Sequence, residues 1–460
     1  MYFNTFEFFC FFLLTWILAR YSRSPAFVLL AASAGFYVVA GWVDSVLIAV
    51  LIGLNWLIVR SRVTPRWRVA IAVFVNIGVL AAVKYRVFLL GDMGADHTTY
   101  IDTVLPLGIS FYTFQLLGYQ IDAARESHLR EDRWSTFGLF VVFFPQLIAG
   151  PIVRARELLP QLRRLFAGQR RHLRLYSYGL GLCVLGLTKK IIFADSLAPV
   201  VDDIFYAGPT SMTEAWTGAW LFTFQIYFDF SGYSDIALGC AYLLGIRLPR
   251  NFRTPYLSRS PREFWQRWHI TLSRWIRDYL YIPLGGGSGS RPRQLLTLLV
   301  VMGLAGLWHG ANLTFVAWGL LWGCYIALHR AAVSRIDRNP RLSRVSALPL
   351  TSLLYRSGHL VIVVCLWVFF RAENFAVAEN YFSVMFAGPV ALTQNSAVVF
   401  AGCVALLALH HIEAWRPRAI SGFRARRWNH PAMLGLFFGL CLWLVLLPSY
   451  TQNPFIYFRF

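Results

Sequence analysis

Apolar residues in this chain do not alternate, nor do they recur only every third or fourth position. They come in long unbroken runs with short polar interruptions between them. The clear runs are 5–19, 26–41, 43–59, 68–83, 104–119, 173–193, 215–228, 295–308, 313–329, 357–371, 396–410 and 432–448. A helix needs about 20 apolar residues to cross a bilayer, so the pattern predicts roughly eleven spanning helices plus partial ones. The expected class is an all-α polytopic integral membrane protein. No internal repeat, low-complexity stretch or linker divides the chain, so residues 1–460 read as one membrane-embedded domain. The first run starts at once, without a basic leader or a small-residue cleavage site, and is expected to stay as the first membrane helix.

Two stretches depart from simple alternation. Segment 135–151, STFGLFVVFFPQLIAGP, is apolar, yet basic loops flank it on both sides, and it carries Pro145, Gly150 and Pro151. A span cannot begin and end on one face, so a re-entrant segment is expected. Irregular backbone at that depth is tolerated only when buried in protein or lining a cavity. Segment 247–294 is too polar to span and too aromatic for an ordinary loop. Ser260-Pro261-Arg262-Glu263 reads as an N-cap, a first-turn proline and a capping-box acid. Phe264, Trp268, Leu272, Trp275 and Tyr279 then recur at helical spacing, with Arg267, Arg274 and Arg277 beside them. This predicts one amphipathic helix on the cytoplasmic side, ended by Pro283 and the GGG at 285–287. His269 falls near the apolar stripe of that helix.

Composition agrees with the pattern. Hydrophobic residues make up 57% of the chain and charged residues 14%, against roughly 25% charge in soluble domains. The aromatic fraction of 17% suits interfacial belts. The formal net charge of +21 would suggest nucleic acid, but its distribution argues otherwise. Arg20, Arg23, Arg60, Arg62, Arg66, Arg68 and the FRARRW stretch (423–428) occupy alternate short loops, while GDMGADH (91–97) and DDIFYAGP (202–209) occupy the others. The signal is therefore one of topology. It predicts an N-terminus outside, basic loops in the cytoplasm and a C-terminus outside. The partner it implies is membrane lipid, not nucleic acid. The seven cysteines are scattered through apolar runs with no CxxC and no zinc-like spacing, so no metal site is expected.

Candidate chemistry is concentrated in two histidines. His309 ends the run LLTLLVVMGLAGLW, and His269 lies in the aromatic helix. Each reads either as a packed histidine satisfied by a neighbour or as a functional group, since ionisable residues at membrane depth are costly. An imidazole near pKa 6.5 suits a general base. Asp229 and Asp235 in FDFSGYSD (228–235) interrupt an apolar run, as a cavity lining or a structural polar cluster would. His410-His411 reads as interfacial. No P-loop, GxSxG elbow or HExxH is present, and GGGSGS (285–290) reads as a turn.

Five stretches carry a resemblance: PLGISFYTFQ (106–115), FFPQLIAGP (143–151), QIYFDFSGYSDIALG (225–239), NFRTPYLSRSPREFWQRWHITLSRWIRDYLYIPLGG (251–286) and GLWHGANLTFVAWG (306–319). Together they resemble the bacterial branch of the membrane-bound O-acyltransferases (MBOAT family), in particular its alginate O-acetyltransferase-like members, over about residues 100–330. These motifs show no departure from the family's pattern. The resemblance implies a ring of tilted helices crossed by a tunnel, with the donor entering from the cytoplasm and the acceptor from outside. It implies that His309, in its WHG context, is the catalytic histidine and that His269 matches the second characteristic polar residue.

On that view His309 takes the proton from an acceptor hydroxyl, and Asn312, His269 or Trp308 stabilises the oxyanion. Arg267, Arg274 and Arg277 suit the phosphates of acetyl-CoA or an acyl-carrier thioester, or serve equally as cytoplasmic anchors. Tyr457, in the tail NPFIYFRF (453–460), reads as an interfacial aromatic or as a brief acyl relay. The expected function is O-acetylation of an extracytoplasmic polysaccharide at the bacterial inner membrane, with a periplasmic N-terminus, periplasmic acetyltransferase partners and a polysaccharide synthesis and export complex. Alternatives are O-acylation of peptidoglycan, teichoic acid or a lipid, and, in a different class, a solute transporter.

Overall fold

A computed structural model of the chain describes residues 2–85, 106–147, 150–169, 176–346, 348–391, 396–414, 431–447 and 455–456. The expectations for 91–97, 423–428 and Tyr457 lie outside the described residues. Among the described residues every regular element is helical. In chain order the main helices are α1 (Phe6–Tyr21), α2 (Pro25–Ala40), α3 (Trp42–Arg60), α4 (Pro65–Lys84), α5 (Ile109–Arg125), α6 (Trp134–Val142), α7 (Ala155–Phe166), α8 (Tyr176–Leu187) and α9 (Asp195–Ala207). They continue with α10 (Met212–Leu243), α11 (Pro261–Arg267), α12 (Ile270–Ile276), α13 (Arg291–His309), α14 (Leu313–Arg338), α15 (Pro349–Arg371), α16 (Phe375–Ala387), α17 (Ser396–Ala414) and α18 (Pro431–Leu446). Within the described residues, each apolar run falls mainly on one of these helices, and 173–193 continues past α8 into a π-helical turn. Four of them, α3, α4, α14 and α15, are long and apolar enough to cross a bilayer, and parts of α2, α17 and α18 form shorter apolar helices. Proline sits in the first turn of α2, α4, α13 and α15, where its missing N–H costs no hydrogen bond.

The chain forms two compact units. The first comprises Met1–Ile192, Phe230–Arg250 and Arg424–Arg459. Its helices α3, α4 and α5 are joined by buried amides. Asn55 and Asn76 exchange hydrogen bonds at 3.1 and 3.0 Å, and Gln120 donates to the Asn55 carbonyl at 2.7 Å. Interhelical amide bonds of this kind hold helices where lipid supplies no hydrophobic drive. The expected re-entrant stretch is a broken helix: α6 stops at Val142, a short turn runs Phe144–Leu147, and residues 139–147 are buried in protein. Buried amides satisfy it, since both Gln115 and Gln146 donate to the Phe140 carbonyl.

Glycines explain another stretch differently from its sequence reading. FDFSGYSD does not interrupt its helix, because α10 runs through it without a break. Gly232 is there for contact: a Cβ on it would sit 2.8 Å from the Gly186 carbonyl, and one on Gly186 would sit 2.5 Å from the Gly232 carbonyl. Gly179 and Gly239 repeat the arrangement two turns away, the added Cβ of Gly239 lying 2.7 Å from the Gly179 oxygen. Backbones of α8 and the 230–243 part of α10 therefore touch directly. Beside them Lys189, in a π-helical turn over Thr188–Ala194, pairs with Asp235 at 3.0 Å.

The second unit comprises Phe193–Asp229, Asn251–Phe423 and Phe460. Here the expected single amphipathic helix is two helices. The cap is as read, with Ser260 Oγ accepting from Glu263 N at 3.1 Å. But α11 ends at Arg267, Trp268 is extended, and His269 adopts φ 39°, ψ 56°. Residues 251–253 compete for the backbone: Arg253 N donates to the Arg267 carbonyl at 2.9 Å and Ile270 N to the Asn251 carbonyl at 2.8 Å. Hydrophobic period predicted burial correctly, since Phe264, Trp268, Leu272, Trp275 and Tyr279 are all buried. It could not predict continuity. His410 is likewise fully buried and its Nε2 accepts from Tyr256 N at 3.2 Å, while His411 is exposed.

Helices α13 and α14 form the tightest pair of this unit. A Cβ on Gly306 would lie 2.0 Å from the Phe315 carbonyl, and one on Gly319 would lie 2.1 Å from the Met302 carbonyl. Any side chain there forces the helices apart, at a cost of about 1–3 kcal/mol for an added methyl. Gly186→Ala and Gly319→Ala are therefore expected to lower the thermal midpoint of the detergent-solubilised protein. Gly181→Ala, on α8 with nothing within 4 Å, is expected to leave it unchanged or raise it slightly. Equal shifts in all three variants would refute the direct backbone contact.

Candidate active site

His309 is the last residue of α13, and its position follows from the glycine contacts just described. Once the α13 and α14 backbones meet, Trp318 of α14 must face the end of α13. Its ring lies 5.2 Å from the His309 imidazole at 90°. Trp308 (4.9 Å) and Phe370 of α15 (5.1 Å) close further sides. His309 is 4% exposed. The following Gly310 is extended, at φ −166°, a conformation open to any residue. Glycine is needed there for space, because a Cβ would sit 2.3 Å from the Phe315 ring.

Asn312 caps α14, its Oδ1 accepting from Thr314 N at 3.0 Å while its Nδ2 donates to the Glu373 carbonyl. Thr314 Oγ donates to the Ala372 carbonyl at 3.3 Å. These two bonds tie the turn after His309 to the end of α15 and hold Phe370 over the imidazole. Asn312 is thus already engaged in positioning, which limits what it can offer an oxyanion.

His269 is held by strain and by Asn251. Only His269 and Thr254, among the described non-glycine residues, have positive φ. Such backbone costs of order 1–3 kcal/mol and persists where surrounding bonds over-determine it. The bonds are present: Asn251 Oδ1 lies 3.2 Å from His269 Nδ1 and accepts from Thr271 Oγ at 2.6 Å and Thr271 N at 3.3 Å. His269 is fully buried, and burial pushes its imidazole down to about 3. It stays neutral through the physiological range. Its ring contacts Trp308 at 6.3 Å, so both histidines share that indole as a neighbour.

Around them runs an aromatic cluster that the sequence reading did not assemble. Trp318 stacks on Trp367 (5.8 Å), Trp367 on Trp268 (4.9 Å), and Trp265 meets Trp318 and Trp322 (5.9 and 5.1 Å). The indole N–H groups of Trp265, Trp318, Trp322 and Trp367 have no acceptor among the described residues. Trp318 therefore adds a buried donor beside His309. Its signal was present as the AWG of 317–319, on the helix that follows His309. Asn251 was likewise inside a noted motif but had no role.

The arginines separate. Arg267 is bound to Glu263 at 2.6 Å and to the Thr254 carbonyl at 3.4 Å. Arg274 is exposed, and Arg277 is exposed and paired with Asp278 at 2.6 Å. So the structure brings His309, His269 and Trp308 together, sets Asn312 at a helix cap, and leaves Arg274 and Arg277 facing outward.

The sequence pattern of the membrane-bound O-acyltransferase family matches residues 134–350, which include both histidines. The chain is 39% identical to the probable alginate O-acetylase AlgI of Azotobacter vinelandii, over 82% of this chain and 77% of that protein. It is 39% identical to the probable alginate O-acetylase AlgI of Pseudomonas aeruginosa, over 72% and 62% respectively, so it spans less than two thirds of that relative. It is 33% identical to the peptidoglycan O-acetyltransferase of Helicobacter pylori, over 78% and 73%. With this likeness over most of its length, the chain belongs to the membrane-bound O-acyltransferase family and is an acyltransferase.

Proposed function

We propose that the protein is an inner-membrane O-acetyltransferase that moves acetyl from a cytoplasmic thioester, acetyl-CoA or an acyl carrier, for O-acetylation of an extracytoplasmic polysaccharide. The observation that carries this reading is a buried imidazole, His309, fixed by backbone contact and an aromatic cage inside the matched region. The likeness to proteins named alginate O-acetylases supports a polysaccharide acceptor. The arginine-rich alternate loops support a periplasmic N-terminus. Periplasmic acetyltransferase partners and a synthesis and export complex would complete the transfer to a long glycan.

The chemistry follows from the two histidine environments. His309 accepts the proton of the acceptor hydroxyl as its oxygen attacks the thioester carbonyl. The tetrahedral oxyanion collapses, the C–S bond breaks, and the imidazolium returns the proton to the departing thiolate. His269 remains neutral, so its part is to donate a hydrogen bond or to position, not to exchange protons. Donors aimed at an oxyanion are worth about 3 kcal/mol each, and Trp318 joins Asn312, His269 and Trp308 as a candidate. Arg274 and Arg277, exposed on one short helix and its following turn, suit the phosphates of the donor.

The test is the O-acetyl content of secreted polysaccharide and of peptidoglycan in a deletion strain complemented at matched membrane expression. Wild type is expected to restore acetyl to the secreted polymer, and His309→Ala to lose it by about 10²–10⁴-fold in rate. Full restoration by His309→Ala would make His309 a packing residue. Loss of acetyl from peptidoglycan instead would shift the acceptor toward that of the Helicobacter relative.

His269→Asn tolerates left-handed backbone and keeps a neutral donor. It is expected to retain part of the activity with an unchanged acid limb in the pH–rate profile between pH 5 and 8; a shifted limb would mean that His269 titrates. Tyr457→Phe is expected to leave acetylation unchanged, whereas its loss would make Tyr457 an acyl relay.

A further inference from the structure

Among the described residues, two cavities are lined by residues of the first unit alone, none of which belongs to the histidine site. One has a volume of 520 Å³ and lies among α1, α8, the 236–243 part of α10, and α18. Its walls are apolar side chains such as Phe12, Leu180, Ile236, Cys240 and Phe438, and its one charged wall residue among the described residues is Arg20. The other has a volume of 370 Å³ and a mixed lining, in which Arg20, Arg164, Gln161 and Gln169 stand beside apolar residues such as Leu29 and Leu165. Trp16, Arg20, Tyr176 and Leu243 line both, so the apolar cleft and the basic pocket share a wall.

This wall stands at helix ends. Arg20 is in the last turn of α1, Arg164 is in the last turn of α7, and residues 243–246 close α10 with Gly245 at φ 84°. A long apolar cavity that ends in cations at the helix termini has the polarity of an amphiphile. Both volumes lie in the range of small-molecule sites.

The charge has a definite sign. The lining of the basic pocket contains two arginines and no carboxylate among the described residues. Gln161 makes a rigid wall, donating to the Arg247 carbonyl at 2.9 Å and accepting from Arg247 N at 2.9 Å. Arginines at helix C-termini complement the dipole and snorkel toward water, but neither habit requires a cavity beneath them. Basic pockets between membrane helices recognise anionic headgroups, and guanidinium suits phosphate.

We propose that an anionic phospholipid occupies these two cavities, with acyl chain in the apolar cleft and its phosphate held by Arg20 and Arg164. The site is independent of the acyl-transfer reading above. It would be a structural lipid that seals the first unit.

The test uses the full-length protein, delipidated in detergent. Binding is read by native mass spectrometry and by the thermal midpoint on adding dioleoylphosphatidylglycerol or dioleoylphosphatidylcholine. Wild type is expected to retain one phosphatidylglycerol and to prefer it at least tenfold. Arg20→Gln/Arg164→Gln, both exposed positions, is expected to lose that preference while still binding either lipid weakly. Leu180→Trp, which fills the cleft, is expected to lose both, with a normal unliganded midpoint showing that it folds. Equal preference in wild type and the double variant would overturn the proposal. So would occupancy by inorganic phosphate alone, or displacement of phosphatidylglycerol by acetyl-CoA, which would make the pocket a donor site.

Discussion

Direct contact between the backbones of α13 and α14 sets the rest of the catalytic unit. Gly306 and Gly319 are each within touching distance of a carbonyl on the opposite helix. That closeness presses Trp318 against His309, and the turn between the helices is short enough for Asn312 to cap α14 while bonding to the end of α15. Phe370 then falls over the imidazole. The ring is fixed and shielded from water by Trp308, Trp318 and Phe370, and those contacts depend on glycines too small to do any chemistry themselves.

The second histidine is positioned by the opposite device. Where His309 depends on closeness of packing, His269 depends on a backbone conformation that its residue type does not favour. Asn251 maintains it through bonds to both His269 and Thr271. The two imidazoles consequently differ in more than place. One terminates a long helix in an aromatic cage; the other sits in a helix break, fully buried and neutral. Pairs of titratable groups in unlike environments are how active sites divide proton transfer from electrostatic support.

Much of this was legible in the chain itself. Long apolar runs located the helices, because membrane length is a coarse property that survives local detail. The Ser260–Glu263 cap and the buried stripe from Phe264 to Tyr279 were also legible, since capping and burial are both written in short-range spacing. The break at Trp268–His269 was not, because it is imposed by residues 251–253 through bonds that no periodicity encodes. Nor was the role of FDFSGYSD: its Gly232 looks like an interruption along the chain and proves to be a contact across it. The aromatic cage was half visible, as Trp308 adjoins His309, whereas Trp318, Trp367 and Phe370 arrive from other helices.

The first unit is assembled from both ends of the chain. Its α1 and α18 meet through Phe9 and Phe438, with rings 5.1 Å apart, although Phe193–Asp229 and Asn251–Phe423 of the second unit lie between them in sequence. During synthesis the helices of Met1–Ile192 therefore enter the membrane long before their last partner exists. Until α18 is made, the faces of α1 and α8 that line the cavity beside Phe438 lack that wall. The order of biosynthesis thus makes α18 a late-arriving partner for the first unit, and a ribosome that stops short of it leaves the first unit without one of its walls.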